Sequence, residues 1–412
     1  MMKKNSISLK RLVPGLIIGP ASWLGPYIVA SGLFLPKMIQ ELDAANKVSL
    51  LALFSTMGMI VAALSGMVAG NLSDKTRSRF GSRTPWMIGG AFIFMLMLIA
   101  ASFANSVWSL LVFWMISQSA LNFIIGPMVA WIDFAPENGR GTASSAYGGL
   151  GMALGNNGFN IVGALFLGQY RLGFIIFGII TLIGTVIAVI IVHEPSNLNE
   201  PVEKTKKENR SFKELLVMFP SWKIGRDYYL ALMGKFFQGI GNFAITGYLL
   251  YIMTDFFHKN TTGTQGSIQT INSIMLVCAI LMGLLAGPFA DKFKLLKLPV
   301  AFSTLFLAVG AVSMLFIKNE FGIVLYAVMA GLGMGIWNSL DNLLNLEVIP
   351  DRQRVAFFLG VYNLGNTLTQ AVAPIIAAMV IPLFGYSSLF IVSLILSLVG
   401  GVLIMLIQKV KK

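Results

Sequence analysis

Two charged residues lie deep inside apolar runs, where an unpaired charge is costly. Lys235 is eight residues into a run that opens at position 227, and Asp341 is nine residues before Pro350, where another run ends. At the rise of an α-helix, both sit about 12–14 Å from the same membrane face. Equal depth makes an ion pair of them: either a static tie between two helices or a carboxylate whose hold on a proton depends on the lysine. Around them run polar stripes at helical spacing. Lys235, Gln238, Asn242 and Thr246 share one face; Trp337, Asn338, Asp341, Asn342 and Asn345 share another. Trp114, Gln118 and Asn122 are four apart, as are Trp23 and Tyr27. Amides hydrogen-bond hydroxyl-rich small molecules, and indole faces cover their C–H faces. Each stripe alone could instead bond neighbouring helices, and that is the expected role of Asn156 and Asn363.

Other chemistries find little footing. Two histidines, His193 and His258, stand at run ends, and the one cysteine, Cys278, lies inside a run. No metal cluster, disulfide framework, nucleotide loop or nucleophile motif is legible, so neither metal, cofactor nor enzymatic activity is expected. The net charge of +13 does not indicate nucleic acid, because the basic residues sit in the joints between apolar runs.

Of 412 residues, 56% are hydrophobic and 11% charged. A soluble chain carries about 25% charged residues. The apolar residues fall into runs of about 20, the length that spans a bilayer as helix. Twelve spans are expected, beginning near Leu12, Val48, Pro85, Val107, Thr142, Leu172, Tyr228, Ser267, Leu298, Phe321, Val355 and Pro382. The first apolar run reads as helix, not as a removed signal peptide. Lysines and arginines crowd alternate joints, including 75–83, 204–226 and both ends of the chain. That bias makes those joints and both termini cytoplasmic in an inner-membrane protein. The longest polar stretch, 194–226, divides an N-terminal bundle (1–193) from a C-terminal one (227–412). Within it, Ser211 to Glu214 reads as a capping box opening a short interfacial helix.

The halves repeat. Gly66, Gly70, Asp74 and Lys75 recur 217 residues on as Gly283, Gly287, Asp291 and Lys292. Asp133, Pro136, Glu137 and Arg140 recur 214 residues on as Glu347, Pro350, Asp351 and Arg354. Glycines four apart suit close helix crossing. The fold class expected is an all-α polytopic membrane protein of two pseudo-symmetric six-helix bundles. Duplicated membrane halves are the architecture of alternating-access transporters.

The joint after the second span reads Gly70-Asn-Leu-Ser-Asp74-Lys75-Thr-Arg77-Ser-Arg79-Phe-Gly81-Ser-Arg83-Thr-Pro85-Trp86. It resembles the signature loop of the major facilitator superfamily. Its expanded form is similar to the sugar:cation symporters related to melibiose permease and the plant sucrose transporters. The resemblance implies that spans 1, 4, 7 and 10 line one cavity. Trp23, Tyr27, Trp114, Gln118, Asn122, Gln238, Asn242, Trp337 and Asn338 would then bind the substrate, with Asp341 and Lys235 coupling it to a proton. Asp74, Arg77, Arg79 and Arg83, with Asp133 and Arg140, would form a cytoplasmic latch between conformations. Melibiose permease carries cation-binding carboxylates within helices 2 and 4. Here span 2 has no acid before Asp74 and span 4 has only Asp133, at its end, which argues against a sodium site of that type. The function implied is import of a sugar or glycoside with a proton, by a protein working as a monomer in the lipid bilayer. The competing reading is a proton-antiport exporter of drugs or metabolites.

Overall fold

The computed structural model describes residues 6–136, 139, 142–143, 146–198, 222–293, 295–350 and 355–410; some side chains within its helices are also left undescribed. The described residues are helical, without strands. In chain order the long helices are α1 (Leu9–Val29), α2 (Lys47–Lys75), α3 (Thr84–Ser102) and α4 (Val107–Val129). The fifth span, α5, is built from short pieces, Ala146–Gly151, Leu154–Gly158 and Phe159–Ala164, the first two π-helical. Then come α6 (Tyr170–Val192), α7 (Trp222–Thr246), α8 (Thr261–Phe293) and α9 (Lys297–Phe316). The last are α10 (Glu320–Val348), α11 (Val355–Phe384) and α12 (Ser387–Met405).

Among the described residues, ten helices are long and apolar enough to cross a membrane, and an eleventh is a bent pair, Gly225–Thr246 with Leu249–Phe256, at 46°. The remaining expected span is α5. Its glycines and asparagines (Gly148 to Gly158) make continuous α-helix expensive, and the chain resolves this with wider π turns. The end of the chain departs from expectation. Pro382 lies inside α11 rather than opening the last span, and the true joint is Gly385-Tyr386. Gly385 takes a left-handed φ of 70° there, which only glycine adopts without strain. The interfacial helix expected at Ser211 to Glu214 lies outside the described residues.

The repeat seen in the sequence is also a repeat of packing. Within the N-terminal half, α1 packs on α6, α6 on α3, α3 on α4, and α1 on α5. Adding six to each number gives pairs that pack in the C-terminal half: α7 on α12, α12 on α9, α9 on α10, and α7 on α11. Small residues permit several of these contacts. A Cβ on Gly184 of α6 would stand 2.2 Å from Ser22 Cβ of α1, and one on Gly401 of α12 would stand 2.3 Å from Thr304 Oγ1 of α9. Such close backbone approach is the usual basis of helix association in lipid, where no hydrophobic force drives it. The sequence pointed instead to Gly66 and Gly70. Gly66 does meet a neighbour, with its would-be Cβ 3.3 Å from Asn122 Oδ1, but Gly70 faces open space.

The chain forms two compact units: Met1–Glu200 with Leu249–Leu276, and Pro201–Tyr248 with Val277–Lys412. The boundary at Tyr248 falls at the bend after α7. There a Cβ on Gly247 would lie 2.8 Å from the Phe243 carbonyl oxygen, so glycine is what lets the helix turn. Beyond the bend, specific bonds hold Leu249–Leu276 in the first unit. The Tyr251 hydroxyl donates to the Pro36 carbonyl at 2.8 Å, and Lys47 pairs with Asp255 at 2.6 Å. Lys47 Nζ also lies 4.8 Å from the centre of the Tyr251 ring, and Gln269 donates to the Ile161 carbonyl at 3.1 Å.

Candidate functional site

In the first unit, α1 and α4 bring five of the expected residues into one neighbourhood. The Tyr27 and Trp114 rings stack at 6.2 Å and 17°. Gln118, one turn from Trp114, lies beside the Tyr27 hydroxyl. Asn122 Nδ2 donates to the Gln118 carbonyl at 2.9 Å. Trp23 is buried one turn from Tyr27, with the Tyr147 hydroxyl of α5 next to it. Gly58 of α2 lies against this group: a Cβ there would be in ordinary van der Waals contact, 3.5 Å from Gln118 Cγ and 3.7 Å from Trp114 Nε1. Gln118 faces the Tyr27 hydroxyl and the Trp23 indole nitrogen faces that of Tyr147, so the cluster joins ring faces to amide and hydroxyl groups of the kind that bind a hydroxyl-bearing ligand.

In the second unit, Lys235 of α7 and Asp341 of α10 meet at 2.7 Å, with both side chains about nineteen-twentieths buried. The other carboxylate oxygen accepts the hydroxyl of Tyr362, on α11. Lys235 Nζ in turn stands 4.1 Å over the Tyr362 ring. Three helices thus converge on one carboxylate. Sequence spacing paired Lys235 with Asp341 but missed Tyr362, because a lone tyrosine in a span carries no periodic signal. Gln238 points at Met334 Sδ, 3.3 Å away, and Asn242 Oδ1 is buried without a donor. Trp337 and Asn338 are not brought together. Trp337 belongs to the apolar core with Tyr228, Leu340 and Phe358, whereas Asn338 is exposed. Consecutive helical positions diverge by about 100°, so one stripe could not hold both.

The loop after α2 is fastened within its own half. Glu194, just past α6, accepts from the Thr84 amide and hydroxyl, both at 2.8 Å, and from the Arg83 amide. It thereby caps the amides at the start of α3. Asn197 accepts from the Ser78 amide at 2.9 Å and donates to the Thr76 carbonyl at 2.9 Å. The Arg83 guanidinium lies 5.6 Å over the Phe134 ring, Arg79 lies 4.7 Å over Phe80, and Arg77 donates to the Thr76 carbonyl. Asp133 sits in the turn Ala130–Phe134 that follows α4. The Asp74 side chain and Arg140 lie outside the described residues, as do the side chains of Asn342 and Asn363. Glu194 and Asn197 were not anticipated, since over a hundred residues separate them from the loop they hold. Gly81, in that loop, has φ of 86°, and a Cβ there would stand 2.2 Å from Glu194 Cδ. Gly81→Ala should therefore expel the cap and strain the turn, costing about 1–3 kcal/mol. A lower Tm in detergent, with Ser82→Ala near wild type, is the expected result.

The model of the Major Facilitator Superfamily matches residues 16–258 and 231–412. The chain belongs to that superfamily. It is a multi-pass membrane transporter of small molecules, not an enzyme. No relative among curated proteins matches the chain. Among solved structures, this facilitator resembles a bacterial homolog of the human lysosomal transporter Spinster, in an inward-facing and unoccupied conformation. The identity is 13%, the TM-score 0.68, and the coverage 96% of this chain and 94% of that one. It also resembles the nucleoside transporter NupG, at 15% identity and a TM-score of 0.72, covering 98% of this chain and all of that one. At such identities the likeness is one of fold.

Proposed function

We propose that this facilitator imports a neutral, hydroxyl-rich solute, a sugar or glycoside, together with a proton. The observation that carries the reading is the Asp341 carboxylate, buried between Lys235 and Tyr362. Among the described residues, Lys235 and Asp341 are the charged side chains buried inside spans. A buried pair of this kind is weak evidence for stability, so its presence asks for another reason. Proton exchange supplies one: Asp341 is held ionised while Lys235 is near and takes up a proton when the pair parts. The bundles 1–193 and 227–412, joined by 194–226, would rock in alternating access. The loop arginines with Asp74, Asp133 and Arg140 would latch them on the cytoplasmic side.

The substrate class rests on the group formed by Trp23, Tyr27, Trp114, Gln118 and Asn122. It offers ring faces and amides but no charge, which suits a neutral ring bearing hydroxyls. The signature loop, similar to that of sugar:cation symporters, supports the same class. So does the fold shared with a nucleoside transporter, since a nucleoside is itself a glycoside. Losing one buried hydrogen-bond partner costs about 1–3 kcal/mol. Gln118→Ala should thus weaken binding roughly ten- to a hundredfold. Titration of the purified protein with a panel of sugars, glycosides and nucleosides tests this. Binding of one class, weakened in Gln118→Ala, supports the site; equal binding by wild type and variant places it elsewhere.

A further inference from the structure

Asn345 lies on α10, one turn towards the cytoplasm from Asp341. Its side chain is fully buried, and neither Oδ1 nor Nδ2 meets a hydrogen-bond partner. A carboxamide bare at both ends is unusual, because buried polar groups nearly always find a partner in protein or in ordered water. Leu344 and Val348, its neighbours on α10, belong to an apolar core with Tyr228 and Phe358. The Tyr228 hydroxyl of that core is donated to the Phe358 carbonyl at 2.7 Å. An amide kept in such a place without a protein partner has both the donor and the acceptor needed to hold a water molecule.

Its position says what such a water would do. Four residues of helix separate it from Asp341 by about 6 Å, and three more reach the end of α10 at Val348. Asp341 is closed on its other sides by Lys235 from α7 and Tyr362 from α11. Four residues on from Asp341, Asn345 shares its face of α10, one turn nearer the end of that helix at Val348.

We propose that Asn345 holds an internal water that relays the proton between Asp341 and the cytoplasm. The inference rests on the reading of Asp341 as the coupling group. In the release step, the Asp341 O–H bond breaks as its proton passes to the water oxygen. The relay water gives one of its own protons to bulk water on the cytoplasmic side and ends neutral; Asp341 is left as the carboxylate that pairs with Lys235, and nothing is oxidised.

The test uses the full chain in proteoliposomes, with a substrate identified by the binding panel and a pH-sensitive dye inside. Asn345→Leu keeps the volume and removes both polar groups; Asn345→Ser restores a group that can bind water. Accumulation driven by a proton gradient, with its proton flux, should slow by about tenfold in Asn345→Leu, the scale of one lost hydrogen bond. Substrate counterflow, which needs no net proton movement, should stay within about twofold of wild type. Asn345→Ser should recover most of the lost rate. Wild-type proton flux in Asn345→Leu overturns the relay, as does equal loss of counterflow and accumulation in both variants, which would mark Asn345 as structural. Should Asp341→Asn lose accumulation while Asn345→Leu keeps it, the relay alone fails. Should Asp341→Asn still accumulate substrate, coupling at Asp341 fails as well.

Discussion

Asp341→Asn should leave the protein inserted and able to exchange substrate downhill, yet abolish accumulation driven by a proton gradient. The amide keeps the shape of the carboxylate and can still accept from the Tyr362 hydroxyl, so the packing of α7, α10 and α11 survives. It cannot ionise or take up a proton. Lys235 loses its counter-ion but keeps the Tyr362 ring at 4.1 Å, a contact worth about 2 kcal/mol when desolvated. Measured in proteoliposomes, counterflow should persist while the concentration ratio falls to unity. Accumulation at wild-type level would reduce the pair to a structural tie.

Lys235→Ala should be the more damaging single change. It leaves the Asp341 carboxylate buried with one hydroxyl donor and no counter-charge. Breaking a buried pair from one side costs about 3–5 kcal/mol. The double change Lys235→Ala with Asp341→Asn removes the orphaned charge and should regain much of that loss. Thermal unfolding in detergent tests the order: wild type highest, the double variant next, Lys235→Ala lowest. A double variant no more stable than Lys235→Ala would show that the two charges do not share one energetic link.

The elements that sequence made legible are those governed by periodicity. Apolar runs of span length marked the helices, and fixed offsets between Gly66-Asp74 and Gly283-Asp291 marked the duplication, which returns as matched helix pairings. Equal depth was enough to pair Lys235 with Asp341. Spacing could not show the third dimension of that site. Tyr362 reaches Asp341 from a different helix, and Glu194 caps α3 from more than a hundred residues away. Helix irregularity was equally hidden. The π turns of α5 and the bend at Gly247 arise from local packing and glycine, in segments whose composition still reads as an ordinary span. Trp337 shows the limit of stripes: the pattern grouped it with Asn338, while packing sent the indole into the core.

Solute and proton should cross the membrane together, with Asp341 carrying the proton. The measurement closest to this records both at once: uptake of a labelled sugar, glycoside or nucleoside into proteoliposomes alongside internal pH, with and without an imposed proton gradient. Symport predicts accumulation only with the gradient, an inward proton flux that begins on adding the solute, and loss of both in Asp341→Asn. Solute uptake that only equilibrates, with no proton flux, or solute extrusion as protons enter, would contradict it.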